Sequence, residues 1–238
     1  MRTADLSIST VDGPMRLYEA APDEPPTAAI VVIQEAFGVN EHIEDVTRRF
    51  ATAGYHAIAP DLFHRTGGGT VDYGDFGAVI PHFVGLGSDE AILADVDAAL
   101  DYHRGVGFAD PRIGIVGFCF GGRVSFLTAT HRSIGAAVGF YGGGIVTARF
   151  PQFPGLIDGA ATMDTPWLGL FGDRDDGIPV DDVERLRAVL ADAPVPAGVV
   201  RYPDAEHGFH CDQRPSYNEA AAKDAWARTL AFFRKNLG

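Results

Sequence analysis

The chain has 238 residues, of which 46% are hydrophobic and 21% are charged, and its formal net charge is −13. This composition is typical of a globular protein and excludes a disordered or fibrous chain, while the acidic balance excludes the basic surface that nucleic-acid binding needs. The sequence contains neither a membrane-spanning run nor the apolar core of a signal peptide, and two cysteines are too few for a disulfide framework. We therefore expect one cytoplasmic domain over residues 1–238, as a monomer or a small homo-oligomer with no nucleic-acid or membrane partner.

The sequence predicts a hairpin near the start of the chain. Short, continuous apolar runs then predict six further strands. Residues 6–18 predict the hairpin, with a tight turn at Asp12-Gly13. Apolar runs without polar alternation are typical of strands that are buried on both faces of a parallel sheet. These runs are Ala28–Ile33, Tyr55–Ala59, Arg112–Val116, Ala136–Tyr141, Pro166–Phe171 and Gly198–Tyr202.

Helices are predicted between these strands, chiefly by apolar residues that recur at helical spacing. They cover Glu41–Ala53, Asp89–His103, Gly122–Thr130, Val180–Leu190 and Asn218–Asn236. The stretch His64–Gly87 holds three consecutive glycines and Pro81, and it predicts a mobile loop with room for one short helix. The alternation of strands and helices predicts an α/β fold, a single domain with a mostly parallel central sheet and helices on both faces.

The strand, turn and helix around Cys119 give the clearest indication of function. Gly117-Phe118-Cys119-Phe120-Gly121 has the G-x-S-x-G spacing of a nucleophile elbow, with cysteine in the place of serine. Such a turn projects its central side chain beyond the carboxyl end of the sheet, where the first amides of the next helix stabilise a thiolate and an oxyanion. We therefore predict that Cys119 is a nucleophile; the alternative is an inert, buried cysteine in a glycine-rich turn.

A thiol nucleophile needs a base, and the base needs an acid that orients it. His207 lies between the last predicted strand and the last helix, where α/β-hydrolases keep their histidine, and His210 is its nearest rival. Asp175 follows the strand Pro166–Phe171, and its spacing favours it over Asp173 and Asp176 as the acid. The order cysteine, aspartate, histidine along the chain is that of an α/β-hydrolase triad.

The same acidic segment also has part of the pattern of a calcium-binding loop. Asp173, Asp175 and Glu184 fall at positions 1, 3 and 12 of an EF-hand-like loop, but Ile178 stands where that loop requires glycine. We therefore expect no metal, and no motif in the sequence calls for a cofactor.

Taken together, these segments resemble the dienelactone hydrolase family of α/β-hydrolases, the carboxymethylenebutenolidase-like enzymes. The resemblance extends over nearly the whole chain and rests on five segments: Gln34–Asn40, Ala59–Phe63, Gly117–Gly122, Gly172–Pro179 and His207–Phe209. It implies a catalytic triad of Cys119, Asp175 and His207. It further implies that Glu35 contacts the resting thiol and helps to form the thiolate, and that the amides of Phe120 and Ala36 hold the oxyanion.

The residues that would contact a substrate are less well defined by the sequence. The family's founding enzymes hold a substrate carboxylate with arginines, one of them four residues after the histidine, where this chain has Cys211. Arg65 and Arg214 are possible substitutes. Aromatic residues near the predicted site favour a compact, unsaturated or aromatic ligand. The substrate-binding candidates are Phe37, Tyr141, Arg65 and Phe209, and Phe63 is a further aromatic residue nearby.

The sequence thus predicts a hydrolase that cleaves a small-molecule ester, lactone or enol lactone through an acyl-thioester intermediate on Cys119. A thioesterase or a general carboxylesterase on the same triad is the alternative within enzymes. A non-hydrolytic binding or redox-sensing protein with a reactive Cys119 is the alternative outside them. Cys211 is expected to be a half-buried bystander, and a disulfide with Cys119 is the weaker possibility.

Overall fold

An eight-stranded sheet forms the centre of the computed structural model, which describes residues Met1–Gly238. In spatial order the strands run β1-β2-β4-β3-β5-β6-β7-β8. The strands are β1 Arg2–Thr10, β2 Gly13–Ala21, β3 Ala29–Ile33, β4 His56–Pro60, β5 Ile113–Phe118, β6 Ala136–Phe140, β7 Trp167–Gly172 and β8 Ala197–Tyr202. Strands β3 to β8 are parallel, and the β1–β2 hairpin continues the sheet through an antiparallel β2–β4 pair. The predicted α/β fold is confirmed.

Four of the six helices begin at a capping side chain. The helices are α1 Glu41–Thr52, α2 Phe76–Gly85, α3 Asp89–Gly105, α4 Phe120–His131, α5 Val180–Leu190 and α6 Glu219–Asn236. Asn40, Ser88 and Asn218 each accept a hydrogen bond from the amide three residues further on, which satisfies a helix N–H that has no carbonyl partner. Each of these caps fixes where its helix starts.

The four central strands, β3 to β6, are completely buried because helices pack on both sides of the sheet. Helices α1 and α6 contact one another through Phe50 and Phe233, whose ring centroids lie 5.9 Å apart. Helices α3 and α4 pack together elsewhere on the sheet, and α4 lies against β5 and β6. The apolar runs of β3 and β5 therefore have no solvent-facing side, which is why they lack polar alternation.

The stretch predicted as a loop, His64–Gly87, is more regular than expected. It contains a short 3₁₀ helix, His64–Thr66, and the ten-residue helix α2. Asp75 caps α2 by accepting a hydrogen bond from the Ala78 amide at 3.0 Å, although Pro81 lies inside the helix. Two further 3₁₀ helices, Asp110–Arg112 and Ile157–Thr162, were not predicted.

The parallel arrangement brings the predicted functional segments to one edge of the sheet. Glu35 follows β3, Cys119 follows β5, Asp175 follows β7 and His207 follows β8. The carboxyl ends of parallel strands meet at this edge, which is where open α/β sheets bind their ligands. In the whole model, no helix is both long and apolar enough to cross a bilayer.

Candidate active site

Cys119 occupies a strained turn between β5 and α4. Its backbone angles, φ 55° and ψ −116°, lie in a region that residues with a side chain rarely adopt. Its amide donates to the Phe140 carbonyl at 3.0 Å, and its own carbonyl accepts from the Gly122 amide at 3.0 Å. The turn therefore has the geometry of the nucleophile elbow that the spacing predicts.

The glycines on either side of Cys119 are required by close contacts of the backbone. A Cβ at Gly117 would lie 1.8 Å from the Gly121 carbonyl oxygen, and one at Gly121 would lie 2.5 Å from the Ile33 carbonyl oxygen. Both distances are far shorter than any van der Waals contact permits. Only glycine at these two positions lets α4 start directly beneath the end of β5.

His207 and Asp175 form a hydrogen-bonded pair next to this turn. The Nδ1 atom of His207 lies 2.6 Å from Oδ2 of Asp175, and the other oxygen of Asp175 accepts from the Gly177 amide at 2.9 Å. Asp175 is buried and His207 is half-buried. Because Nδ1 is bound to the carboxylate, Nε2 is the nitrogen that is free for proton transfer.

The charge state of His207 is set by its two neighbours. Burial by itself would lower the pKa of His207, but the negative charge at Cys119 and the hydrogen-bonded Asp175 carboxylate outweigh it and raise that pKa to about 10. The arrangement therefore favours an imidazolium at His207 at neutral pH, beside the sulfur of Cys119.

A cavity of about 560 Å³ opens beside these residues. Its volume is within the range of roughly 300–1,000 Å³ that small-molecule sites occupy. Cys119, His207 and Asp175 line it, together with Ala36 and Phe120. Phe120 is the first residue of α4, so its amide has no carbonyl partner within the helix and can donate toward the cavity.

Glu35 lies behind this cavity and is completely buried. One of its carboxylate oxygens accepts from the hydroxyl of Tyr73 at 3.1 Å, and the other accepts from Nη1 of Arg214 at 3.3 Å. The family resemblance implied a contact between Glu35 and the resting Cys119 thiol. That expectation needs correction, since in this structure Tyr73 and Arg214 are the hydrogen-bond partners of Glu35.

Cys211 belongs to the same buried group. Its sulfur lies 3.3 Å from the hydroxyl of Tyr73, which also accepts from the side-chain amide of Asn40 at 3.0 Å. Burial raises the pKa of the Cys211 thiol to about 11. Both cysteines are free, and Cys211 is fully buried rather than half-buried as predicted.

Of the four substrate-binding candidates, only Phe37 lines the cavity. Tyr141 is fully buried, with its ring centroid 5.1 Å from that of His207, and Phe209 packs in the core against it. The prediction that Arg65 contacts the substrate is wrong, because its guanidinium is bound by the buried carboxylate of Asp95 and by Asp12. Phe63 likewise lies outside the cavity, stacked on His82.

The remaining candidates in the acidic segment and the His207 loop have other partners. Asp173 and Glu184 both bind Arg201, at 2.7 Å in each case, so two of the three acidic positions of the calcium pattern are paired with a cation of the protein. His210 is buried against Phe118 and Phe140 with neither ring nitrogen hydrogen-bonded. This leaves Asp175 and His207 as the hydrogen-bonded acid and base candidates at the cavity.

Sequence reasoning missed several residues that the structure places at the site. Tyr73 lies in the stretch interpreted as a loop, and no motif marks it. Phe76, Phe83, Phe150 and Phe153 line the cavity from segments that showed no chemical pattern. Arg214, named only as a possible substitute, does line the cavity.

Comparisons with known proteins agree with this architecture. The model of the dienelactone hydrolase family matches residues 15–237. A Methylorubrum extorquens protein provisionally named carboxymethylenebutenolidase is 40% identical over 236 residues, 97% of this chain and 80% of its own. A carboxymethylenebutenolidase of Rhodococcus opacus is 30% identical over 236 residues, 94% of this chain and 87% of its own. A crystal structure of a Klebsiella pneumoniae protein, provisionally named dienelactone hydrolase, is 39% identical over 98% of both chains, with a TM-score of 0.90. The chain therefore belongs to the dienelactone hydrolase family of α/β-fold ester hydrolases.

Proposed function

We propose that the protein hydrolyses a carboxylic ester, lactone or enol lactone through a covalent thioester on Cys119. The observation that carries this proposal is the meeting of a strained, cavity-lining cysteine with a histidine that is hydrogen-bonded to a buried aspartate. The family's relatives named carboxymethylenebutenolidase support the same class of reaction.

The reaction begins with the Cys119 thiolate and the His207 imidazolium. The sulfur attacks the carbonyl carbon, and the amides of Phe120 and Ala36 hold the oxyanion that forms. The bond to the leaving oxygen then breaks, and Nε2 of His207 gives its proton to that oxygen. The products of this half-reaction are the alcohol, or the ring-opened enol, and an acyl-thioester on Cys119.

Water completes the cycle. Neutral His207 takes a proton from a water molecule, whose oxygen attacks the thioester carbonyl, and the bond between carbon and sulfur breaks. The acid leaves, and the thiolate and imidazolium are restored. Asp175 keeps the imidazole in the tautomer that presents Nε2 and stabilises its positive charge.

Arg214 is the cation that we assign to a substrate carboxylate, where the substrate carries one. Its guanidinium lines the cavity and its carboxylate partner is Glu35, at 3.3 Å. Of the other cavity-lining arginines, Arg123 and Arg174 are paired with Asp89 and Asp204, and Arg149 donates to the Gly177 carbonyl. A carboxylate bound to Arg214 would compete with Glu35 for its guanidinium.

The nucleophile is tested with 4-nitrophenyl acetate and mass spectrometry of the quenched enzyme. We expect Cys119→Ala to lower kcat/KM by at least about 10³-fold, because the covalent route is lost. The wild-type enzyme and the matched control Cys211→Ala should both carry the acetyl group on Cys119. Unchanged turnover in Cys119→Ala, or an acetyl group on Cys211, would show that the assignment is wrong.

A further inference from the structure

Part of the cavity lining is a group of aromatic and aliphatic side chains, which we call the aromatic wall. Its members are Phe76, Val79, Phe83, Phe120, Phe150 and Phe153. Three of them come from α2, one from the start of α4, and two from the segment before the 3₁₀ helix Ile157–Thr162. The wall is thus assembled from three separate parts of the chain.

Four of the five rings of the wall form a continuous group, and the fifth, Phe76, packs against Phe37 at a centroid distance of 5.8 Å. The ring centroids of Phe83 and Phe120 lie 4.8 Å apart, those of Phe83 and Phe150 4.9 Å apart, and those of Phe120 and Phe153 5.4 Å apart. Phe120 directly follows Cys119 in the chain. The apolar surface therefore begins next to the reacting sulfur.

The outer edge of the wall remains open to solvent. Phe76 is 63% exposed and Phe150 is 40% exposed, whereas Phe83 and Phe153 are buried. Large exposed aromatic side chains at the mouth of a cavity are typical of a surface that an apolar ligand covers.

Polar residues also line the cavity, and Arg174, Asp176 and Glu206 lie close in sequence to Asp175 and His207. His207 must lie near the leaving oxygen, since it gives that oxygen its proton. The leaving group therefore lies by these polar residues, and the acyl group on the Cys119 sulfur extends along the wall that begins at Phe120.

We propose that the aromatic wall binds the acyl group of the substrate, so that the preferred substrates are esters of aryl or alkyl carboxylic acids. This inference rests on the proposed function. It adds that the acyl half of the substrate determines which esters the enzyme prefers. Burial of each acyl methylene is worth about 0.8 kcal/mol, which corresponds to a rise of about fourfold in kcat/KM.

The first test compares 4-nitrophenyl acetate, butyrate, hexanoate and phenylacetate, with each kcat/KM divided by the rate of hydroxide-catalysed hydrolysis. We expect kcat/KM to rise along the alkyl series and to be high for phenylacetate. A second series keeps the acetyl group and enlarges the alcohol. We expect little gain there, because the cavity-lining residues near His207 in sequence include the polar Arg174, Asp176 and Glu206.

The second test uses a matched pair of variants on the exposed surface of α2. Phe76 lines the cavity mouth, whereas Ile80, one turn later and 62% exposed, does not. Phe76→Ser should lower the ratio of hexanoate to acetate kcat/KM by about threefold or more, because apolar contact is lost. Ile80→Ser should leave this ratio unchanged. Phe83→Ala should lower it by about tenfold, provided that its thermal unfolding shows a folded protein.

Three results would overturn the inference. The first is an alkyl series that is flat or falling while hydrolysis still depends on Cys119, which would leave the proposed function intact. The second is an equal loss in Phe76→Ser and Ile80→Ser, and the third is a gain with larger alcohols rather than larger acyl groups. If no ester is hydrolysed, or if Cys119→Ala retains the activity, the proposed function itself is wrong.

Discussion

At the residue scale, the proton on His207 is held between two negative groups. Asp175 binds Nδ1 at 2.6 Å, and together with the charge at Cys119 it raises the pKa of His207 to about 10. A positive charge on the imidazole is therefore retained through neutral pH. An ester hydrolase of this design would start its cycle with the proton donor already charged.

The first prediction concerns the titration of His207. In NMR spectra of the wild-type protein we expect the imidazole of His207 to lose its proton near pH 10. Asp175→Asn removes a negative charge that favours the imidazolium, so the midpoint should move to lower pH. Asp173→Asn is the matched control, because Asp173 binds Arg201, and its midpoint should equal that of the wild type. Equal shifts in both variants would show that Asp175 has no specific role.

The second prediction concerns the reactivity of the two thiols. Cys119 lines the cavity, whereas Cys211 is fully buried and its pKa is raised to about 11. Because the thiolate is the reactive form, a disulfide reagent such as DTNB should modify one thiol rapidly in the native protein and the second only after unfolding. Cys119→Ala should remove the rapid phase. Two rapid thiols, or a rapid phase that survives in Cys119→Ala, would contradict this prediction.

The positions of candidate site residues were predictable from the sequence where a motif lies at the end of a predicted strand. Cys119, Asp175 and His207 each follow a strand of the parallel sheet, and this topology brings such positions together. The partners of Glu35 were not predictable. Tyr73 comes from an irregular stretch, and Arg214 from the loop after β8, so their meeting at Glu35 depends on tertiary packing that no local pattern records.

At the scale of elements, the tight turn between β5 and α4 forms only because two of its positions are glycines. At Gly117 an added Cβ would lie 1.8 Å from the Gly121 carbonyl oxygen, and the neighbour that would have to move is backbone rather than a flexible side chain. The strand β5 and the helix α4 would then have to separate. Cys119 would lose the position that the elbow gives it.

The third prediction follows from this contact. Gly117→Ala should lower the free energy of unfolding by about 3 kcal/mol or more, because the backbone clash cannot relax locally. Gly198 in β8 is the matched control, since a Cβ there meets nothing within 4 Å. Gly198→Ala should leave the free energy of unfolding unchanged or raise it by under about 1 kcal/mol. Urea unfolding measures both, and equal stability of the two variants would refute the explanation.

Helices with a strong sequence pattern were predicted well, and α2 is the exception. Five helices were predicted within two residues of where they begin, namely α1, α3, α4, α5 and α6. In the region of helix α2 the sequence predicted a loop with room for one short helix, because Pro81 and the nearby glycines are typical of loops. Packing explains the outcome, as Val79 and Phe83 are buried against the rest of the cavity and hold the helix in place.

At the scale of the whole molecule, a buried ion pair connects α4, the helix after Cys119, with the cavity. Arg123 on α4 is almost fully buried and binds both carboxylate oxygens of Asp89, the first residue of α3, at 2.6 and 2.9 Å. It also donates to the carbonyl of Pro154 at 2.6 Å, next to Phe153 in the aromatic wall. Asp89 also lies in the first turn of α3, where a negative charge favours the helix dipole. The helical pattern predicted α3 but not this ion pair, because the position of Arg123 depends on the packing of α3 against α4.

The last prediction separates these two roles of Asp89. Asp89→Asn keeps the size of the side chain but leaves the buried guanidinium of Arg123 without a charged partner, so the free energy of unfolding should fall by about 3 kcal/mol. Glu90→Gln removes the neighbouring, exposed acid from the same first turn and tests the dipole alone, so its effect should be much smaller. Equal losses in urea unfolding would mean that the dipole, rather than the ion pair, explains Asp89. If the ion pair does hold the segment of Phe153 in place, Asp89→Asn should also lower the ratio of hexanoate to acetate kcat/KM, whereas Glu90→Gln should not, since Arg123 joins Asp89, and not Glu90, to the Pro154 carbonyl next to Phe153.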